Sequence, residues 1–404
     1  MSEQACFSNT QGAFKNEALA TTWVSLSLLM CIFLMPLSST LKDIALVMVC
    51  AGVLLFPTYN QLLPPLCRKP WFILAIFLFL QILVSCLWTP ASGHEQLLAL
   101  KKYSKLLYLP LCVVGFKDQR VRFLGLHVLL LSMLLVAGFT FLKMIHVLHW
   151  RGDDPGEVFR NHIMTGFMMS FAAGVGAYFA IITPGIRRYA YLLCSLLLTA
   201  QIFFIGTGRT GYVVYVVMMS ILFFSMFSFR HALVLFFLGA LGLVTIFYSS
   251  PTMHARVTAL ASDYQQYQQA DKNTAIGYRV QFHAYAKTLF LRHPWLGNGA
   301  ASFRTLYTEE QPVTAWGKRL LEPHSNYWLV ASEQGLLGVL TLLALLAALF
   351  YEVWGLKTLR VVGLMLWLPF VMANFTDSFL FYSGTGYFFI LFMGLCLAEG
   401  LEKT

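Results

Sequence analysis

Apolar runs of bilayer length recur from one end of this chain to the other, more than any water-soluble core could bury. A hydrocarbon slab of roughly 30 Å takes about 20 helical residues per crossing. About twelve segments reach or approach that length: 20–39, 42–58, 70–88, 98–116, 123–146, 161–183, 190–206, 212–228, 232–248, 326–350, 361–376 and 380–398. Lipid offers nothing to an unpaired strand edge, so these runs are expected as helices. Only 11% of the residues are charged, against roughly 25% in a soluble domain. The chain is therefore read as an all-α, polytopic membrane protein.

The net charge of +10 is first a topological signal. With the N-terminus in the cytoplasm, the inner loops hold Arg68 and Lys69, then Lys117, Arg120 and Arg122, then Arg187 and Arg188, Arg230, and finally Lys357 and Arg360. The alternate loops hold Lys42, Arg151, Arg160 and Arg209, offset by Asp153, Asp154 and Glu157. Basic residues concentrate on the cytoplasmic side, so both termini are expected there. Lys101, Lys102 and Lys105 break the pattern, because they fall near the outer surface. No basic cluster interleaved with aromatics stands on a polar domain, so nucleic acid is not an expected partner.

Eight cysteines, among them Cys6, Cys31 and Cys112, form no CxxC pair, and the longest polar stretch has none. They read as small apolar residues in the bilayer, with neither a disulfide framework nor a zinc site expected. The first nineteen residues lack the features of a cleaved signal peptide, so the first apolar run is expected to be retained.

The organisation expected is one membrane domain in three stretches: helices over 1–248, an outer segment over 249–325, and helices over 326–404. Within the outer segment, Arg279 to His293 reads as an amphipathic helix, with Phe282, Ala286, Leu289 and Phe290 at helical spacing. Pro294 ends it, and Gly297 and Gly299 permit a tight turn in HPWLGNGAASF.

Several polar residues stand out against this background. Arg209, in FFIGTGRTGYVV, lies close to hydrocarbon, which costs at least about 2.5 kcal/mol without compensation. It is either a snorkelling interfacial arginine or an anion clamp, with Gly206, Gly208 and Gly211 letting a phosphate approach the backbone. Arg279 opens the amphipathic helix, where a surface arginine needs no special role. His324, in LLEPHSNYWLVASEQGLLG, either ends a loop or accepts a proton near neutral pH; Ser325 and Asn326 can cap the helix that follows. Asp377, in NFTDSFLF, can orient a base, pair with an arginine or terminate its helix. Asp153 and Asp154 have neither a third ligand nor DxD spacing, so no metal site is expected. The GxG sequences precede no strand–helix unit, which argues against a nucleotide site.

The stretch HSNYWLVASEQGLLG is similar to the signature of bacterial O-antigen ligases. His324 and Ser325 precede nine residues, then Gly335 and Gly338. GTGRTGY and YRVQFHAYAKTLFLRHPWLGNGAASF also resemble that superfamily, which includes O-antigen polymerases. The similarity covers roughly residues 155–400, with only hydropathy in common before that. The resemblance implies a fold of about twelve transmembrane helices (GT-C-like) with a helical periplasmic segment, in the bacterial inner membrane. It implies that Arg209 and Arg279 hold the pyrophosphate of an undecaprenyl-linked glycan donor and that His324 stands at the reacting centre. Arg160, Ser325 and Asp377 would support them. It also implies no cofactor, no nucleotide sugar and no metal. Lipid A–core is the acceptor expected of a ligase; a second lipid-linked repeat unit would make the protein a polymerase. A protein O-glycosylating relative would usually carry a larger external domain, and a transporter or flippase would place charges at helix centres.

Overall fold

The computed structural model describes residues 2–403 apart from 151, 153, 270, 318 and 319, with side chains from 17 to 402. Arg151 and Asp153 lie outside the described residues, and the Cys6 side chain outside the described side chains. Among the described residues every regular element is a helix. Nine helices among the described residues are long and apolar enough to cross a membrane, or ten if the sharply bent pair Ser39–Leu55 and Pro57–Leu66 counts as one span. The chain is thus a multi-pass helical membrane protein.

Two of the expected twelve crossings differ from the rest. Segment 98–116 is broken at Ser104 into Gly93–Tyr103 and Lys105–Gly115, each of 11 residues, with Pro110 inside the second. Segment 361–376 forms the 17-residue helix Arg360–Thr376. The most enclosed spans are His162–Ile182 and Ser383–Leu397, whose phenylalanines interlock edge to face through Phe167, Phe171, Phe388 and Phe392. Phe229–Ser249 lies at the periphery and buries only Ala232. Spans of this kind owe their association to close packing, since lipid is as apolar as their side chains.

The helix Asn326–Trp354 sets the long axis of the site. Its 29 residues extend roughly 43 Å at 1.5 Å per residue. At its far end Glu352 meets Lys69 at 3.2 Å, and nearby Glu399 accepts the backbone N–H groups of Lys357, Thr358 and Leu359. Lys69, Lys117, Arg122, Lys357 and Arg360 belong to that end, while Arg279 and His324 lie at the near end.

The same helix is interrupted at Gly335, where φ is 63° and ψ −160°. Into this break fits the turn that follows the helix Ala275–Arg292. Leu336 N–H donates to Pro294 O at 2.8 Å and Leu337 N–H to Trp295 O at 3.2 Å. In return Asn298 N–H donates to Ser332 O at 3.1 Å and Gly299 N–H to Glu333 O at 2.9 Å. The orphaned carbonyls and amides of the break are satisfied by the turn rather than by water. A Cβ on Gly335 would stand 2.6 Å from the Gly297 nitrogen and the Trp295 carbonyl carbon, so glycine is required by space as well as by φ.

The amphipathic helix begins earlier than the pattern suggested. Thr274 caps it by accepting the Gly277 N–H, and it runs Ala275–Arg292. Phe282, Ala286 and Leu289 are buried as their spacing implies, Tyr285 joins them, and Phe290 is half-buried.

Candidate active site

His324 occupies the last residue but one before the helix Asn326–Trp354. Its φ of 55° is left-handed, a conformation that a non-glycine residue rarely keeps without compensation. The compensation is a ring of bonds. The backbone N–H of His324 donates to Glu322 Oε2 at 2.6 Å, and its carbonyl lies 3.3 Å from His283 Nε2. Ser325, the N-cap, accepts from Trp328 N–H and donates to Asn374 O at 3.3 Å. Phe282 stacks beside the imidazole at 6.0 Å between ring centres.

The side chain of His324 faces two carboxylates. Nδ1 lies 2.9 Å from Asp377 Oδ1 and 3.3 Å from Glu322 Oε1. A carboxylate can only accept here, so Nδ1 carries the hydrogen and Nε2 keeps a lone pair. Among the described residues nothing is bonded to Nε2, and the side chain is 26% exposed. Tyr382 OH reaches Glu322 Oε1 at 2.7 Å and Asp377 Oδ1 at 3.2 Å, and Ser378 Oγ donates to Glu322 Oε2. Asp377 itself is fully enclosed; among the described residues its Oδ2 takes no hydrogen bond, and Arg279 Nη2 lies 3.7 Å from it.

Burial pulls the His324 pKa down, but the Asp377 hydrogen bond and the charges of Glu322 and Asp377 outweigh it, so the net shift is upward. His283 goes the other way, because burial dominates and the bond to the His324 carbonyl only partly offsets it. The outcome is a carboxylate-oriented imidazole with one open nitrogen and an arginine next to its orienting acid. Such an arrangement is chemically suited to accepting a proton from a hydroxyl and to stabilising the resulting imidazolium.

The structure thus brings together His324, Ser325, Arg279 and Asp377. Among the described residues no hydrogen bond or ion pair joins Arg209 to them. That guanidinium grips Asp263 Oδ2 through Nη1 at 3.2 Å and Nη2 at 3.3 Å, from the first turn of Arg209–Met226 to the helix Pro251–Gln268. The glycines around it are not an open phosphate cradle. A Cβ on Gly208 would meet His162 O at 2.9 Å, one on Gly206 Ile202 O at 2.7 Å, and one on Gly211 Gly166 Cα at 3.1 Å. They permit close packing of protein on protein. Arg160 donates to Met35 O at 2.9 Å.

Asp154 does acquire partners that its sequence neighbours did not suggest. Its Oδ2 accepts from Thr207 Oγ1 at 2.5 Å and lies 3.5 Å from His162 Nδ1, which is bonded to Glu157 at 2.7 Å. Burial raises the Asp154 pKa, yet bonds from His162, Thr207 and the Gly156 N–H carry it down to about 2. Asp154, Glu157 and His162 have the donor types for a metal ion, as do Glu322, His324 and Asp377. In both groups the imidazole Nδ1 is already engaged with a carboxylate.

Glu322 and Tyr382 are functional candidates that sequence reasoning passed over. Glu322 stood two residues before His324 in EPHSN, and Tyr382 five after Asp377, but an acid and a tyrosine near a helix end carry no signal until the loops are docked.

No curated protein matches the chain. The family model described as O-antigen ligase matches residues 194–343, a stretch that contains Arg209, Arg279, His324 and both glycines of the histidine signature. Asp377 lies beyond its end, joined to it only through space. This match, which includes the carboxylate-held His324, supports an assignment to the O-antigen ligase family over that part of the chain.

Proposed function

We propose that the protein is an O-antigen ligase of the bacterial inner membrane, moving O-polysaccharide from undecaprenyl pyrophosphate onto lipid A–core. The observation that carries this reading is the pairing of His324 with Asp377 and Glu322 while Nε2 stays open. The acceptor hydroxyl attacks the anomeric carbon from the face opposite the pyrophosphate and gives its proton to Nε2. The new bond joins acceptor oxygen to anomeric carbon, the bond from that carbon to the pyrophosphate oxygen breaks, and configuration inverts. Undecaprenyl pyrophosphate leaves as an anion, so its charge has to be stabilised. Arg279, half-exposed beside the reacting centre, supports that charge, and Arg209 joins it once the donor displaces Asp263 from its guanidinium.

Sidedness follows from the charge distribution. The end that holds Lys69, Lys117, Arg122 and Lys357 is cytoplasmic under the positive-inside rule, and the His324 end then faces the periplasm. A lipid-linked glycan reaches such a site from the outer leaflet.

The test is transfer by purified protein given undecaprenyl-pyrophosphate-linked glycan and either lipid A–core or a second lipid-linked repeat. Product on lipid A–core is expected. Longer lipid-linked chains would make it a polymerase, and no transfer to either acceptor would return the transporter reading. His324→Ala is expected to bind donor without transferring it, and normal transfer by that variant would sink the base assignment.

A further inference from the structure

Lys101, Lys102 and Lys105 broke the charge pattern of the loops, and the fold shows that Lys105 is no loop charge. It begins the helix Lys105–Gly115, after the break at Ser104, and its side chain is completely enclosed. Its Nζ donates to the carbonyls of Leu380 at 2.7 Å, Phe381 at 3.2 Å and Tyr382 at 2.9 Å. An ammonium has three donors, and all three are used.

Those three carbonyls converge from the turn between Arg360–Thr376 and Ser383–Leu397. The turn starts at Asp377, the carboxylate on His324, and ends at Tyr382, whose hydroxyl bridges Glu322 and Asp377. The Leu380 and Phe381 carbonyls are buried and the part-buried Tyr382 carbonyl also accepts the Gly386 N–H; carbonyl dipoles converging on one spot repel each other, so a donor among them favours this shape of the turn. Gly386 makes room for it: a Cβ there would stand 2.6 Å from Nζ. Lys102 adds a second grip from the preceding helix, with Nζ 3.6 Å from the centre of the Phe381 ring.

We infer that Lys105 is a positioning residue for the His324 centre: its ammonium gathers the 380–382 carbonyls and thereby holds Asp377 and Tyr382 where they orient the imidazole. No carboxylate pairs with Nζ among the described residues, and Tyr387 lies 5.2 Å away as a ring-face contact. A buried cation without a counter-ion is an expensive way to fill space in a membrane protein, and an apolar side chain would fill it with less penalty. The chemistry it supplies is the convergent donation. Lys105 neither touches substrate nor carries a proton in the reaction. The inference rests on the reading of His324 as the proton acceptor.

The experiment compares wild type, Lys105→Met, Tyr382→Phe and the double variant in proteoliposomes supplied with lipid-linked glycan and lipid A–core. Lys105→Met keeps the length of the side chain and removes the donors. Its kcat is expected to fall roughly ten- to hundredfold, as displaced catalytic groups do, with donor KM within about twofold. The acid limb of its pH profile moves down, because His324 loses the carboxylate held against it. Tyr382→Phe moves the limb in the same direction. The double variant is no worse than Lys105→Met, since both act through one turn. A Lys105→Met protein with the wild-type limb, with raised donor KM alone, or with losses that multiply in the double variant overturns the inference. Should Lys105→Met fail to fold, an unchanged limb in Tyr382→Phe overturns it equally. His324→Ala run alongside separates the two ideas. If it transfers normally the base reading falls and takes this one with it; if it is inactive while Lys105→Met is normal, only the positioning role falls.

Discussion

Replacing Asp377 with asparagine is the sharpest test of the proposed site. The carboxylate is fully buried, accepts from His324 Nδ1 at 2.9 Å and from Tyr382 OH at 3.2 Å, and has Arg279 3.7 Å from its other oxygen. Asparagine keeps the volume and removes the charge. A hydrogen bond to a charged group is worth roughly 1.5–3 kcal/mol, or roughly ten- to hundredfold in rate when it is made to the imidazolium of the transition state. Glu322 Oε1, 3.3 Å from the same nitrogen, remains as a second acceptor, which places the loss toward the lower end. The pH dependence is more discriminating than the magnitude. Burial lowers the His324 pKa and the Asp377 bond is the largest influence raising it. Without that bond the pKa falls, so the variant keeps more unprotonated imidazole than wild type as pH drops. Activity relative to wild type should therefore be lowest at high pH and recover toward acid. The assay is the rate of glycan transfer to lipid A–core by purified protein across pH 5–9, about two pH units either side of neutral. A ratio independent of pH, or a limb displaced upward, would refute the reasoning.

Three further outcomes are expected. Gly335→Ala forces a side chain into a backbone conformation reserved for glycine and against the Trp295–Gly297 turn, so stability should drop by about 3 kcal/mol or more, read as a lower midpoint in thermal unfolding in detergent; an unchanged midpoint would mean the break is not needed. Asp263→Asn frees Arg209 from its internal carboxylate and should lower donor KM with little change in kcat, whereas a raised KM would show that Asp263 positions Arg209 for binding. Chelation with EDTA should leave transfer unaffected, because arginines supply the charge stabilisation in the proposed mechanism; activity lost on chelation and restored by one divalent ion would point instead to one of the two His–carboxylate clusters.

Hydropathy alone determined that this is a helical membrane protein, because each crossing has to be apolar along its own length whatever it packs against. The histidine signature and the family resemblance were legible for a similar reason: His324, Ser325, Gly335 and Gly338 lie in one short stretch, and the glycines answer a local need for space where the Pro294–Gly299 turn enters the helix. The number of crossings is less legible, since a broken pair such as Gly93–Tyr103 and Lys105–Gly115 has the composition of a span without its continuity. What only tertiary structure decided is who meets whom. Asp377 is 53 residues from His324, Tyr382 is 60 from Glu322, and Lys105 is 275 from Leu380. Arg209, which the sequence left as either a snorkelling arginine or an anion clamp, is paired with Asp263. Lys105, which looked like a topological exception, is a buried donor to a turn. Side-chain hydrogen bonds reach about 3 Å, so they are set by how helices dock, and a linear pattern holds no record of that distance.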